Sequence, residues 1–273
     1  MTRVELPKVV VSADPVTKLN CALIQADTRW ADPEANRDHL ARLMDTAPGA
    51  ALYVLPETCT TGFLGDRDRN VARDAAGDMS WLAAQAQHRD AAIACSIAAA
   101  EGSRIFNRFL FAMPDGSVVV YDKRHLFAFG GETGARYAAG SKRVRAGFRG
   151  LRFDLQVCYD LRFPVWCRND DGFDVQIFVA NWPRARATAW QTLLAARAIE
   201  NQAIVIGLNR VGIDGNGVDH PGCSGVWDAF GNPLIGPLDD SEQVAVVELD
   251  FDRLRQIRQD FPFLRDRDRY AIG

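Results

Sequence analysis

Short apolar runs alternate with amphipathic segments along most of the chain. The apolar runs predict buried strands at 18–27, 51–55, 92–99, 151–157, 173–180 and 203–209. Apolar residues spaced by three and four positions predict helices at 32–47, 79–91, 188–202 and near 251–260. Asp32 followed by Pro33 is typical of a helix N-cap and first helical position. The alternation predicts one α/β domain in which helices cover mixed sheets.

Turn residues divide two further segments into hairpins. Residues 104–123 contain two β-rich runs around the turn sequence Pro114-Asp115-Gly116-Ser117, and residues 224–233 contain a second hairpin. A tight turn is expected at 214–217 and a late strand at 242–250. We therefore expect an N-terminal extension at 1–17, for which the sequence suggests no function, and a single domain at 18–273.

Charge and hydropathy exclude several kinds of partner. The net charge of −3 gives no reason to expect nucleic acid or an anionic membrane as partner. No apolar run approaches the roughly 20 residues of a membrane helix, and residues 1–18 lack an apolar core of signal-peptide length. We therefore expect a cytoplasmic protein. The densest basic cluster, at 142–145, is interpreted as a solvated face.

The six cysteines are dispersed and form no CxxC pair. This spacing predicts neither a disulfide framework nor a zinc site, so each thiol is free to react. The segment 214–220 has some likeness to a calcium loop, but Val218 and Asp219 stand where a ligand and a glycine are needed. We expect no metal and no cofactor.

Polar residues follow the carboxyl ends of several predicted strands. Four such residues come directly after an apolar run or one residue beyond it: Glu57, Lys123, Cys158 and Asn181. Open α/β sheets place reacting groups at this edge, so the four side chains could converge. Taken alone, a cysteine after an apolar run is more often a small buried hydrophobic residue than a nucleophile.

Three motifs in order give the chain a resemblance to the nitrilase superfamily of carbon–nitrogen hydrolases. They are "LPETCTTGF" around Glu57, "YDKRHLF" around Lys123 and "VCYDLRFP" around Cys158, with further likeness in "FGGETGARYAAG", "VANWPRAR" and "TLLAARAIENQAIVIGLNRVG". The resemblance implies a four-layer αββα sandwich, a homodimer and a Glu–Lys–Cys catalytic set. It is strongest to the omega-amidase branch, which hydrolyses the terminal amide of α-keto acid monoamides such as α-ketoglutaramate and α-ketosuccinamate.

The implied roles fit the chemistry of amide hydrolysis. Cys158 attacks the carbonyl and leaves a thioester that water cleaves. Glu57 carries the proton from the thiol to the leaving amine and later activates water. Lys123 and the backbone N–H of Tyr159 stabilise the tetrahedral oxygen. Glu132 matches the second glutamate of the superfamily and is expected to position Lys123.

Substrate contacts are expected in the loops beside these motifs. Phe63, Phe127, Asn181 and Trp182 are candidates to line a small pocket, with core packing or loop capping as the alternative. A substrate carboxylate needs a cation, for which bidentate arginine is the usual partner. The candidates, which the sequence does not rank, are Arg124, Arg162 and Arg184. Arg162 could equally pair with Asp160.

Other functions stay open at this point. A Cys–His hydrolase would use a histidine such as His125, which we interpret instead as a hydrogen-bonded structural residue. Nitrile hydrolysis is disfavoured because typical nitrilases have Trp-Glu after the cysteine, where this chain has Tyr159-Asp160. N-carbamoyl amino acid hydrolysis and a catalytically silent scaffold protein are the remaining alternatives. The expected partners are a small-molecule amide and a second copy of the chain.

Overall fold

Two six-stranded sheets are the main feature of the structure, a computed structural model that describes residues 15–65, 74–133 and 136–272. Most of the predicted extension at 1–17 lies outside the described residues. Of its last residues, Val16 donates through its backbone N–H to Arg149, and Thr17 accepts from the backbone of Phe251.

The strands, in chain order, are β1 (Lys18–Gln25), β2 (Leu52–Val54), β3 (Ala92–Glu101), β4 (Arg104–Ala112), β5 (Val118–Asp122), β6 (Arg145–Phe148), β7 (Leu151–Val157), β8 (Val175–Ala180), β9 (Ile204–Asn209), β10 (Val211–Ile213), β11 (Asp219–Pro221), β12 (Gly225–Trp227), β13 (Pro233–Ile235) and β14 (Gln243–Asp250). The α-helices are α1 (Pro33–Asp45), α2 (Ala75–Arg89), α3 (Ala187–Asn201) and α4 (Phe251–Asp260). Short 3₁₀ helices include Ala128–Gly130 and Cys158–Arg162.

Each large sheet has parallel strands at its centre and antiparallel strands at its edges. The first sheet has the order β14-β1-β2-β3-β4-β5, with β1, β2 and β3 parallel. The second has the order β13-β12-β9-β8-β7-β6, with β7, β8 and β9 parallel. The carboxyl ends of the parallel strands in each sheet therefore lie at one edge, where α/β proteins place their sites.

The central strands are buried on both faces because a helix layer covers one face and the other sheet covers the second. In β1, Cys21 and Leu23 belong to the apolar core that includes the second sheet, whereas Ala22 and Ile24 pack with α1 and α2. Successive side chains of a strand point to opposite faces, so this alternation separates the two apolar layers.

Direct contacts join the two sheets and the fourth layer. The rings of Phe111 in β4 and Phe153 in β7 lie 5.1 Å apart between the sheets. On the far side, α3 packs closely on β9, where a Cβ at Gly207 would collide with Leu194. The order helix, sheet, sheet, helix confirms the expected four-layer αββα sandwich.

The strongest local predictions are confirmed. Asp32 caps α1, accepting from the N–H of Ala35 at 3.1 Å, and Pro33 is the first helical residue. The hairpin of β4 and β5 surrounds the turn at Pro114-Asp115-Gly116-Ser117. Helix α2 begins at Ala75, four residues before the predicted start. None of the described helices is long and apolar enough to cross a membrane.

The prediction that residues 142–145 form a solvated face holds for the exposed Lys142 and is wrong for Arg143 and Arg145. Arg145 begins strand β6, and its side chain is only 7% exposed because it pairs with buried Asp154 and with Asp171. Arg143 pairs with Asp170. The carboxylates that neutralise these arginines come from later segments of the chain, which explains why the local charge pattern was misleading.

Candidate active site

Four strand ends from the two sheets meet at one site. Glu57 follows β2 and Lys123 follows β5 in the first sheet, while Cys158 and Asn181 directly follow β7 and β8 in the second. The backbone N–H of Asn181 donates to Glu57 Oε2 at 2.6 Å, and Lys123 Nζ lies 3.1 Å from Glu57 Oε1. The predicted convergence of these residues is therefore present.

Four hydrogen bonds hold the Glu57 carboxylate. Its Oε1 accepts from Lys123 Nζ and, at 2.7 Å, from Asn107 Nδ2. Its Oε2 accepts from the backbone N–H of Asn181 and, at 3.2 Å, from Asn181 Nδ2. Glu57 is fully buried, and a buried charge needs this full set of partners.

Glu132 is the second carboxylate bound to Lys123. Lys123 Nζ donates to Glu132 Oε2 at 2.8 Å, and the same oxygen accepts from the N–H of Phe127 at 2.7 Å. Burial opposes the charge on Lys123, but the Glu132 and Glu57 carboxylates outweigh it and raise the pKa of the lysine well above its ordinary value. An ammonium has three N–H donors, and these two bonds leave the third available within the described residues.

Asn107 is a site residue that the sequence prediction missed. Its Nδ2 donates to both carboxylates, at 2.7 Å to Glu57 and 2.8 Å to Glu132, while its Oδ1 accepts from Ser96 Oγ at 2.9 Å. The available signal was a single asparagine within the apolar run of β4. Since buried polar groups are hydrogen-bonded, that position required polar partners.

Cys158 lies at a sharp bend between β7 and the 3₁₀ helix that follows it. Its φ of +45° is in the left-handed region, an uncommon conformation for a residue with a side chain. Burial raises the pKa of the Cys158 thiol well above its ordinary value. The charges of the Glu57 and Glu132 carboxylates raise it further against the opposing effect of Lys123. The resting thiol is therefore protonated and needs a base.

Asp160 fixes the turn after Cys158. Its Oδ2 accepts from Tyr121 Oη at 2.7 Å and from the N–H of Val157 at 3.1 Å. Its Oδ1 accepts from the backbone N–H of His125 at 2.9 Å and contacts His125 Nδ1 at 2.8 Å. His125 thus has the structural contacts expected for it, and Asp160 pairs with His125 instead of Arg162.

A cavity of about 320 Å³ opens beside Cys158. It contains three of the four predicted pocket residues, Phe127, Asn181 and Trp182, and one of the three candidate arginines, Arg162. Its lining is completed by Phe129, Cys158, Tyr159, Pro183 and Arg186. Phe63 is not part of this lining. Its ring lies near Gly130, 3.4 Å from the position that a Cβ would have there.

The three candidate arginines have different surroundings. Arg162 lines the cavity, and its guanidinium lies 5.0 Å from the ring centroid of Trp182. Arg184 forms ion pairs with Asp219 and Asp240 on the surface, while Arg124 donates to the carbonyl of Gly140 at 3.3 Å. Arg162 is therefore the one of the three that faces the site.

Two other features of the described residues are separate from this site. A larger open groove of about 610 Å³ lies between Asp170 and residues 264–270 and contains none of the predicted site residues. No group of three or more histidine, cysteine, aspartate or glutamate side chains within 15–65, 74–133 and 136–272 could hold a metal ion.

Known proteins resemble this chain over nearly its whole length. The family model for carbon–nitrogen hydrolases matches residues 20–259. The chain is 42% identical over 257 residues to omega-amidase YafV of Yersinia enterocolitica, covering 94% of this chain and 100% of that protein. It is 29% identical over 255 residues to a 2-oxoglutaramate amidase of Bacillus subtilis, covering 91% and 97%.

The fold comparison agrees with the sequence comparison. A CN-hydrolase superfamily protein of Xanthomonas campestris, whose crystal structure has an arsenic adduct in the active site, matches with a TM-score of 0.88 and 43% identity. The match covers 94% of this chain and 100% of that one. The chain therefore belongs to the carbon–nitrogen hydrolase family.

Proposed function

We propose that this protein is an omega-amidase that releases ammonia from α-keto acid monoamides such as α-ketoglutaramate. The proposal rests on one arrangement: Cys158 lines a cavity together with Asn181, whose backbone N–H binds the Glu57 carboxylate, and with the cation Arg162. The relatives named omega-amidase and 2-oxoglutaramate amidase support this substrate class.

Acylation begins with proton transfer from Cys158 to Glu57. Because the pKa of the thiol is raised, the sulfur becomes a competent nucleophile only as its proton leaves. The sulfur forms a bond to the amide carbon, and the carbonyl π electrons move to oxygen. Glu57 then donates the proton to the amide nitrogen. The oxyanion electrons re-form the carbonyl as the C–N bond breaks, which releases ammonia and leaves Cys158 as a thioester.

Lys123 and the start of the 3₁₀ helix stabilise the tetrahedral oxyanion. The third N–H of Lys123 is the available donor on one side. The N–H of Tyr159 belongs to the first turn of the helix Cys158–Arg162, where backbone donors lack an intrahelical acceptor. Removing one such donor costs about 100- to 1,000-fold in turnover in other hydrolases.

Deacylation uses the same groups with water as nucleophile. Glu57 accepts a proton from water while the water oxygen attacks the thioester carbon. The C–S bond then breaks, the sulfur recovers a proton from Glu57, and the α-keto dicarboxylate leaves. Glu132 and Asn107 hold Lys123 and Glu57 at fixed positions through both steps.

Arg162 provides the charge for the substrate carboxylate. Its guanidinium is half-buried and has no carboxylate partner within the described residues, unlike that of Arg184. A bidentate arginine–carboxylate contact would orient the substrate with its amide toward Cys158.

We also propose a cytoplasmic homodimer. Light scattering of the purified protein would measure its mass, and cell fractionation would locate it.

The test compares ammonia release from α-ketoglutaramate, 4-cyanobutanoate and an N-carbamoyl amino acid. The proposal predicts that kcat/KM for the keto amide exceeds the others by at least about 100-fold, since the charge and hydrogen-bond pattern of the site fits that substrate. A preference for the nitrile or the carbamoyl compound would replace the proposed function with one of the alternatives. No hydrolysis of any of them by folded protein would favour the scaffold.

A further inference from the structure

We infer that Arg186 is a specificity-determining residue that binds the ketone oxygen of the substrate, next to the carboxylate that Arg162 binds. This inference rests on the proposed omega-amidase function and deepens it. The sequence prediction did not include Arg186, although it lies only two residues after the candidate Arg184. The structure assigns the two arginines to different surroundings.

Arg186 and Arg162 are half-buried cations in the cavity that contains Cys158. Neither guanidinium has an ion pair or a hydrogen bond with a side chain in the described part of the chain. Arg184, by contrast, pairs with Asp219 and Asp240. Partial burial of an unpaired charge costs free energy, and an anionic ligand would offset that cost.

Aromatic rings hold both guanidiniums at the cavity wall. Arg186 lies 5.2 Å from the ring centroid of Phe127, and Arg162 lies 5.0 Å from that of Trp182. The carbonyl of Arg186 also accepts from Trp182 Nε1 at 2.8 Å. A hydrogen bond thus joins the backbone of Arg186 to the Trp182 ring that Arg162 lies over. Both guanidiniums belong to the wall of one cavity.

An α-keto acid has more acceptor oxygens than one guanidinium binds in a bidentate contact. A plain carboxylate has two oxygens, which one guanidinium fork can satisfy. An α-keto carboxylate adds a ketone oxygen next to them, and a second guanidinium can donate to it. Arg186 would therefore distinguish α-ketoglutaramate from glutaramate, an amide of the same length and charge that lacks the ketone.

The experiment compares Arg186→Gln with the wild type on these two amides. We expect kcat/KM for α-ketoglutaramate to fall about 10- to 100-fold, the loss typical of one hydrogen bond to a charged group. Activity on glutaramate should change less than about threefold. The products 2-oxoglutarate and glutarate, used as competitive inhibitors, repeat the comparison without turnover. Arg184→Gln is the matched control and should leave all four values unchanged.

Arg186→Lys is the second variant, because it keeps the positive charge and loses the paired N–H donors of the guanidinium. It should lose activity on the keto amide alone, by less than Arg186→Gln does. Equal losses on both amides, or wild-type values on both, would overturn the inference while the proposed function stands. A folded wild type that releases no ammonia from α-ketoglutaramate would overturn the proposed function and, with it, this inference.

Discussion

Replacing Glu57 with glutamine separates two effects of its carboxylate on Cys158. The carboxylate is the proton acceptor for the thiol in the proposed mechanism. Its negative charge also raises the pKa of that thiol, second only to burial. Glu57→Gln keeps the shape of the side chain but removes both the base and the charge. Turnover should therefore collapse even though the thiol loses its proton more easily.

The size of each effect follows from the contacts of Glu57. Loss of a general base lowers turnover by about 100- to 10,000-fold. In the glutamine variant an NH₂ group replaces one carboxylate oxygen. Beside Lys123 or beside the backbone N–H of Asn181, this group faces a donor from which it cannot accept a hydrogen bond. Losing such a charge-assisted bond costs roughly 1.5–3 kcal/mol of unfolding free energy, which is a decrease of several degrees in Tm.

Three measurements test this reasoning on the same preparation. Ammonia release gives turnover, iodoacetamide labelling of Cys158 against pH gives the thiol titration, and a thermal melt shows folding. We expect lost turnover, a titration shifted to lower pH and a folded protein. Glu248→Gln is the matched control, because Glu248 is an exposed surface residue paired with Lys18. Turnover within tenfold of wild type would contradict the role of Glu57 as the base, and an unshifted titration would contradict its effect on the pKa of Cys158.

Three further predictions concern stability. Tyr121→Phe removes the hydroxyl that donates to Asp160 and should lower the unfolding free energy by about 1–3 kcal/mol in urea titrations. Gly140→Ala should cost about 1–3 kcal/mol in the same assay, because its Cβ would collide with the carbonyl of Asp122. Burial raises the pKa of Asp154 to about 6, so the folded state binds its proton more readily than the unfolded state does. The stability of the wild type relative to Asp154→Asn should therefore rise by roughly 1 kcal/mol as the pH falls from about 7.5 to about 5.

Each of these predictions has a result that contradicts it. An unfolding free energy for Tyr121→Phe equal to that of the wild type would mean that the network at Asp160 does not stabilise the turn. An unchanged midpoint in the urea titration of Gly140→Ala would mean that the backbone at this residue moves aside without cost. If the difference between wild type and Asp154→Asn did not vary with pH, or rose with increasing pH, the burial of Asp154 would not govern its titration.

Local signals explain why much of the fold was predictable. The start of α1 depends on Asp32 and Pro33, two adjacent residues with direct effects on helix initiation. The hairpin of β4 and β5 depends on four turn residues. Strand β6 was missed because its position depends on pairing with β7 and on the ion pair between Arg145 and Asp154, which no local pattern encodes.

The site was predictable in part for a similar reason. Glu57, Lys123 and Cys158 follow strands whose carboxyl ends could be placed at one edge, and the motif resemblance assigned their roles. Asn107 lies inside strand β4, and Arg186 ends the short 3₁₀ helix Arg184–Arg186 directly before α3. Their importance depends on side chains and a cavity brought together only by the packing of two sheets.

In the proposed mechanism Cys158 is the nucleophile of an amidase. Ammonia release from α-ketoglutaramate, measured for wild type, Cys158→Ala and Cys167→Ala, tests this role. The control removes another buried thiol, whose Sγ lies 3.1 Å from the carbonyl of Asp160. We predict release by wild type and Cys167→Ala, and none above background by Cys158→Ala. Release by a folded Cys158→Ala at the wild-type rate would contradict this role.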